Sequence, residues 1–188
     1  LLGLAAEQGV KEVYIHMFSD GRDTGQKVAL DTVKKINHKI QEIGVGTIAT
    51  ITGRFYAMDR ANHWDQTEMT YQVMTTGAGA AADTPEDAVL NSYSQNVFDE
   101  MIPPTAMIVR EEGESGMHPV TKITDNDAII FFNYRSDRAL QLTQAFVNPD
   151  VMDIPKKHVA LQNLFFVTMT EYFFDLPVHV AFHPVNLE

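Results

Sequence analysis

Apolar and polar positions along the chain follow two periods in turn. Val13-Tyr14-Ile15-His16-Met17-Phe18 is a short apolar run bounded by polar residues, which predicts a buried strand. Ala29, Val33, Ile36, Ile40 and Ile43 then recur in steps of four and three, the stripe of an amphipathic helix. Lys34, Lys35, Lys39 and Glu42 take its wet face and Gly44 ends it. Thr47-Ile48-Ala49-Thr50-Ile51-Thr52 is rich in β-branched residues and predicts a second strand. A helix is expected from about Trp64 to Thr75 and a short one after Thr84-Pro85-Glu86-Asp87. There Thr84 suits the N-cap, Pro85 the first turn and the two acids the positive helix end. Residues 107–109, 129–132, 164–169 and 178–182 read as strands and 139–146 as a helix. A helix end over 1–8 is closed by Gly9, residues 111–116 suggest a hairpin-type loop, and 125–127 a turn. Helices alternate with strands early and strands dominate late. The expected fold is α/β, with a mixed sheet flanked by helices and open to a curled or barrel-like form.

The layout repeats a detail. Gly9-Val10, a strand and Gly21-Arg22 are followed by a helix, then Gly44-Val45, a strand and Gly53-Arg54. A third strand delivers Phe132-Asn133-Tyr134-Arg135-Ser136-Asp137-Arg138, with two arginines three residues apart. Open α/β sheets bind ligands beyond the carboxyl ends of their strands. Arginine presents a planar fork of donors that matches carboxylate or phosphate oxygens. Each motif also carries acids: Asp20 and Asp23, Asp59, and Asp137. Three local ion pairs would account for each motif singly. They would not account for recurrence at one topological place, which favours a shared anion site built from Arg22, Arg54, Arg60, Arg135 and Arg138. Asp23, beside Arg22, could hydrogen-bond a ligand hydroxyl or move its proton.

Charge sharpens this picture. The formal net charge is −11 over 188 residues, which argues against nucleic acid as a partner. Only six arginines occur, Arg110 being the sixth, and they gather after predicted strands while most lysines lie on helix faces. No apolar run approaches the roughly 20 residues of a membrane span, and no basic leader opens the chain. Cysteine is absent, so disulfide and thiol chemistry are excluded and a cytoplasmic setting is expected. The chain opens on Leu1-Leu2 and stops at Asn186-Leu187-Glu188, so residues 1–188 are expected to be one domain excised from a longer polypeptide.

Bond-breaking machinery is not legible. His179 and His183 would lie about 13 Å apart on a strand, too far to share an ion, and His16 within its strand reads as a hydrogen-bonded core residue. Asp125-Asn126-Asp127 lacks the glycine and terminal glutamate of a calcium loop. Gly77-Ala78-Gly79 is followed by no Lys-Ser/Thr, and there is no Gly-x-Ser-x-Gly elbow.

Asp20-Gly21-Arg22-Asp23, Gly53-Arg54-Phe55-Tyr56-Ala57-Met58-Asp59-Arg60 with Trp64-Asp65, and Phe132-Asn133-Tyr134-Arg135-Ser136-Asp137-Arg138 together resemble the cofactor-independent (2,3-bisphosphoglycerate-independent) phosphoglycerate mutases. The motif order agrees and the similarity extends over essentially the whole chain. Tyr134 stands where that family often has Phe. The resemblance implies two-domain enzymes of glycolysis and gluconeogenesis, and this chain is similar to the inserted phosphotransferase, or substrate-binding, domain. It implies that Arg22, Asp23, Arg54, Arg60, Arg135 and Arg138 bind 3-phosphoglycerate and 2-phosphoglycerate, with Asp23 also catalytic. The phosphorylated serine and two manganese ions would belong to the missing phosphatase-like domain, leaving no cofactor or metal on this chain. The isolated chain is then expected to be inactive and monomeric, with no membrane partner. The competing expectation is a free-standing binding module for anionic phosphorylated metabolites.

Overall fold

The structure, a computed structural model, describes residues 1–110, 116–151 and 158–184. Its elements in chain order are α1 (Leu2–Glu7), β1 (Tyr14–Ser19), α2 (Ala29–Ile43), β2 (Thr47–Gly53), α3 (Arg54–Ala57), α4 (Trp64–Thr75), β3 (Ala80–Ala82), α5 (Pro85–Ser94), β4 (Thr105–Arg110), β5 (Met117–Pro119), β6 (Ala128–Phe131), α6 (Ser136–Val147), β7 (Phe165–Thr168) and β8 (His179–Val180). Short 3-10 turns lie at Asp99–Met101 and Pro149–Val151.

Local chemistry explains most boundaries. α2 covers the span predicted by its stripe and ends at Gly44, whose φ of +78° is the left-handed conformation that suits glycine. At α5, Thr84 Oγ1 accepts from the Asp87 amide at 3.1 Å, with Pro85 at the first turn. The loop expected over 111–116 lies outside the described residues apart from Gly116. The strands on either side, β4 and β5, do pair antiparallel.

The strands form two sheets. The first runs β1-β2-β4-β3, with β5 on β4; β1 and β2 are parallel, β4 is antiparallel to β2 and parallel to β3. The second, β6-β7-β8, is wholly parallel. The sheet is therefore mixed, as expected, but no closed barrel forms among the described residues. β6, which leads into the segment carrying Arg135 and Arg138, lies at the edge of the second sheet among the described residues. Met17, Val33, Ile48, Ile51, Val89 and Ile102 build a core between the first sheet and α2 and α5. Tyr71, Phe131, Leu142, Phe146 and Phe166 build another between α4, α6 and the second sheet. Phe18 of β1 meets Phe131 of β6 edge to face at 5.9 Å, so the carboxyl ends of the two sheets lie side by side.

His16 lies half-buried in β1 with Nδ1 2.9 Å from Thr50 Oγ1, a hydrogen-bonded residue as expected. Burial pushes its imidazole down to about 4. The unfolded chain therefore takes up a proton near pH 6.5 that the folded chain refuses until about 4. Stability should be full above pH 6.5 and fall progressively between those values. A tenfold change in proton affinity is about 1.4 kcal/mol, and the ring keeps some solvent contact, so a loss of roughly 1–3 kcal/mol is expected. Urea titrations at pH 7 and pH 4.5 measure it, and His16→Gln should flatten the difference.

Candidate functional site

The two parallel strands β1 and β2 end level, with Ser19 opposite Gly53. The chain beyond β1 is the loop carrying Asp20, Arg22 and Asp23, and the chain beyond β2 is α3, whose first residue is Arg54. Arg54 is only 5% exposed. A charge so placed must be compensated, and two carboxylates from the other loop do this: Asp20, and Asp23 through Oδ2 at 2.8 Å. Burial opposes the Arg54 charge, but hydrogen bonds to Asp23 and Asp20 outweigh it and raise the guanidinium above its ordinary value. Burial likewise works against ionised Asp20, yet the Arg54 bond holds its carboxyl below the usual range.

α6 supplies the other side. Arg138, in its first turn, donates from Nη1 to the Met58 carbonyl at 3.1 Å. One helical step later Gln141, 4% exposed, accepts from the Asn62 amide at 3.0 Å and donates to Asp59 and to Thr67 Oγ1. Together they fasten the 58–62 loop that carries Arg60. Arg60 pairs with Asp137, which also receives Arg135 Nε at 2.7 Å. Hydrogen bonds from Arg135, with help from Arg60, hold the Asp137 carboxyl down to about 2 against its partial desolvation. Asp59 does not pair with the adjacent Arg60. It accepts the Ala61 and His63 amides and the Gln141 side chain, so it shapes the loop.

These ties cross between motifs, which local pairing did not predict. Arg54 reaches back 34 and 31 residues to Asp20 and Asp23, and Arg60 reaches forward 77 to Asp137. Burial, then the like charges of Arg60, Arg54 and Arg135, hold Arg138 below the ordinary arginine value. Arg135 in turn feels Asp23 and Arg54, after the stronger influence of its partner Asp137. Arg60, Arg54 and Arg135 are thus near enough to Arg138 to oppose its charge, in a protein of net charge −11. Arg138 Nε is a buried donor that finds no acceptor among the described residues. Arg22 stands apart: it is exposed, and its Nη1 lies 3.8 Å from Glu100 Oε1. The Asp23 side chain is 67% exposed and so reachable from solvent.

Sequence reasoning missed Gln141. Its signal was a polar residue inside the apolar stripe of a helix, three positions after Arg138. It also missed Asp99, whose bonds to Ser19, Val28 and Ala29 span 70 and more residues. Among the described residues no group of three or more His, Cys, Asp or Glu side chains is placed to hold a metal ion.

The fold is α/β, with guanidinium groups gathered beyond its strand ends, the place where open α/β sheets bind ligands. The family description "BPG-independent PGAM N-terminus" fits residues 1–173, and the chain belongs to that family. It is 44% identical over 185 residues to the 2,3-bisphosphoglycerate-independent phosphoglycerate mutase of Clostridium novyi (strain NT), covering 98% of this chain and 34% of that relative. The fold is similar to the crystal structure of Leishmania mexicana phosphoglycerate mutase at low cobalt concentration. That likeness has a TM-score of 0.84 at 23% identity, over 98% of this chain and 34% of the other. The chain therefore spans about a third of the length of these relatives.

Gln141→Ala should remove three hydrogen bonds at once and leave the Asn62 amide and Asp59 short of partners. A loss of about 1–3 kcal/mol is expected in denaturant titrations. Gln141→Glu should cost at least as much, because it sets a second carboxylate against Asp59.

Proposed function

We propose that residues 1–188 are the substrate-holding domain of a phosphoglycerate mutase that interconverts 3-phosphoglycerate and 2-phosphoglycerate without a bisphosphoglycerate cofactor. The observation that carries this reading is the gathering of Arg54, Arg60 and Arg135 around Arg138, whose buried Nε finds no acceptor among the described residues. Internal carboxylates already meet part of this positive charge, and a phosphorylated carboxylic acid brings several further negative oxygens in one small molecule. Arg54, Arg60, Arg135 and Arg138 hold carboxylate and phosphate, and Arg22, on its exposed loop, closes from the Glu100 side. Asp23 handles the glycerate hydroxyls, orienting them and moving a proton at the hydroxyl oxygen. Holding the fragment in place while phosphate leaves and returns is what the chemistry asks of this part of the protein.

The phosphoryl-accepting serine and the manganese ions belong, on this reading, to the polypeptide outside the chain. Among the described residues no group of three or more His, Cys, Asp or Glu side chains is placed to hold a metal ion, and on this reading the chain contributes charge and position. Phosphoglycerates and the metal-bearing domain are its partners. The protein works as a monomer in the cytoplasm, and neither nucleic acid nor a membrane is a partner. No described helix is long and apolar enough to cross a membrane.

Three measurements test the reading. The isolated chain with manganese should show no mutase or phosphatase turnover, and turnover by a rigorously pure sample would place the chemistry within it. Isothermal titration should detect 3-phosphoglycerate binding to the full-length protein, weakened about tenfold or more in Arg138→Ala. Arg22→Ala should raise KM and lower kcat. Asp23→Asn should leave affinity in place and lower kcat by about two to four orders of magnitude. A full-length protein that binds phosphoglycerate but does not turn it over would instead support a binding module.

A further inference from the structure

The turn at Asp99–Met101 is seated against both Gly-Arg motifs. A Cβ built on Gly21 would lie 2.5 Å from the Glu100 nitrogen and 2.8 Å from the Asp99 Cβ. One built on Gly53 would lie 2.5 Å from the Glu100 carbonyl oxygen and 2.7 Å from the Ile102 nitrogen. Neither position tolerates a side chain, because one piece of backbone packs flush on both. The Gly53 amide also donates to the Ile102 carbonyl at 2.7 Å.

Asp99, fully buried, is the fastening point of this turn. Its carbonyl accepts from Ser19 Oγ at 2.6 Å and its amide donates to the Gln26 carbonyl at 3.1 Å. Its Oδ2 accepts from the amides of Val28 and Ala29 at 2.8 and 2.9 Å. Val28, the N-cap residue of α2, makes no side-chain cap of its own, so a residue 70 positions away caps the helix. Oδ1 accepts from the Tyr93 hydroxyl; desolvation and this bond together push the phenol well above its ordinary value. One aspartate thus grips the loop at its first residue, near its last and at the helix it feeds. Between those grips the loop carries Asp20 and Asp23, both tied to Arg54.

We propose that Asp99 is a positioning residue for the reaction: it fixes the span and tilt of the 19–28 loop and through it places Asp23 against the substrate hydroxyls. The inference rests on the catalytic role given to Asp23 above. It also accounts for the recurrence of glycine before arginine at two strand ends, since both glycines are the contact surface for this one turn.

The test uses the full-length enzyme with 3-phosphoglycerate. Asp99→Ala should lower kcat by about 10- to 100-fold, the scale of a displacement near 1 Å, with KM within about threefold. In an Asp23→Asn background the same change should cost less than about threefold more, because the group being positioned has already lost its function. Hydrogen exchange at the Val28 and Ala29 amides should accelerate in Asp99→Ala. Thr84→Ala, which removes the N-terminal cap of α5 at the end of that helix opposite Tyr93, serves as control. It should lower Tm and leave kcat alone. If Asp99→Ala does not fold, Tyr93→Phe removes a single bond to Asp99 and should show the same pattern at about 2- to 10-fold. Losses that multiply fully in the Asp23→Asn background would overturn the proposal, as would a kcat loss no larger than the fraction unfolded. A silent Asp23→Asn overturns the reading of Asp23 itself and this inference with it. That outcome is distinct from an active Asp23 with independent Asp99.

Discussion

A guanidinium buried at the end of a strand cannot stay there without compensating charge, and the arrangement of Arg54 meets that demand from a separate stretch of chain. Desolvating a cation costs several kcal/mol, and removing one partner of a buried pair typically costs about 3–5 kcal/mol. Asp20 and Asp23 therefore tie the loop after β1 to the position of Arg54, Asp20 from a half-buried place and Asp23 from an exposed one. This makes the first two motifs one structural unit. Asp137 does the same for the second and third by taking Arg60 and Arg135 together. The cationic cluster is held open by acids that belong to it.

Backbone geometry prepares these pairings. β1 and β2 run parallel with their ends level, so the residues following each strand emerge as neighbours. α6 presents Arg138 and Gln141 on one face, since residues three apart on a helix lie together. The Phe18–Phe131 contact brings the second sheet to the same edge. Each of these is an ordinary packing feature, and their sum places four arginines at one site.

Much of this was legible in the chain itself. The 29–43 helix followed from its stripe, the α5 cap from Thr84-Pro85, and the arginine motifs from their recurrence after strands. β3 was not legible, because Ala80-Ala81-Ala82 carries no β-branched or aromatic residue and is a strand only through pairing with β4. The division into two sheets was also hidden, since which strand edges meet depends on contacts distant in sequence. Asp99 left no local trace for the same reason: it caps α2 through the Val28 and Ala29 amides from 70 and more residues away, and a cap supplied by a distant residue leaves no mark beside the helix. Arg22 was grouped with the others on motif grounds, whereas the structure sets it against Glu100.

The acids threaded through the cluster have one more consequence, which concerns selectivity. Asp137 already occupies donors on two arginines, so an incoming anion enters as a competitor and must offer more than Asp137 provides. A singly charged carboxylate does little better than the resident one and gains nothing by exchange. A molecule bearing two or three negative charges on separate groups can draw Arg60 and Arg135 toward itself while also meeting Arg138. On the reading of these arginines as the substrate site, the internal carboxylates would act as a valence filter. They would leave the cluster unresponsive to singly charged acids and open to densely charged ones.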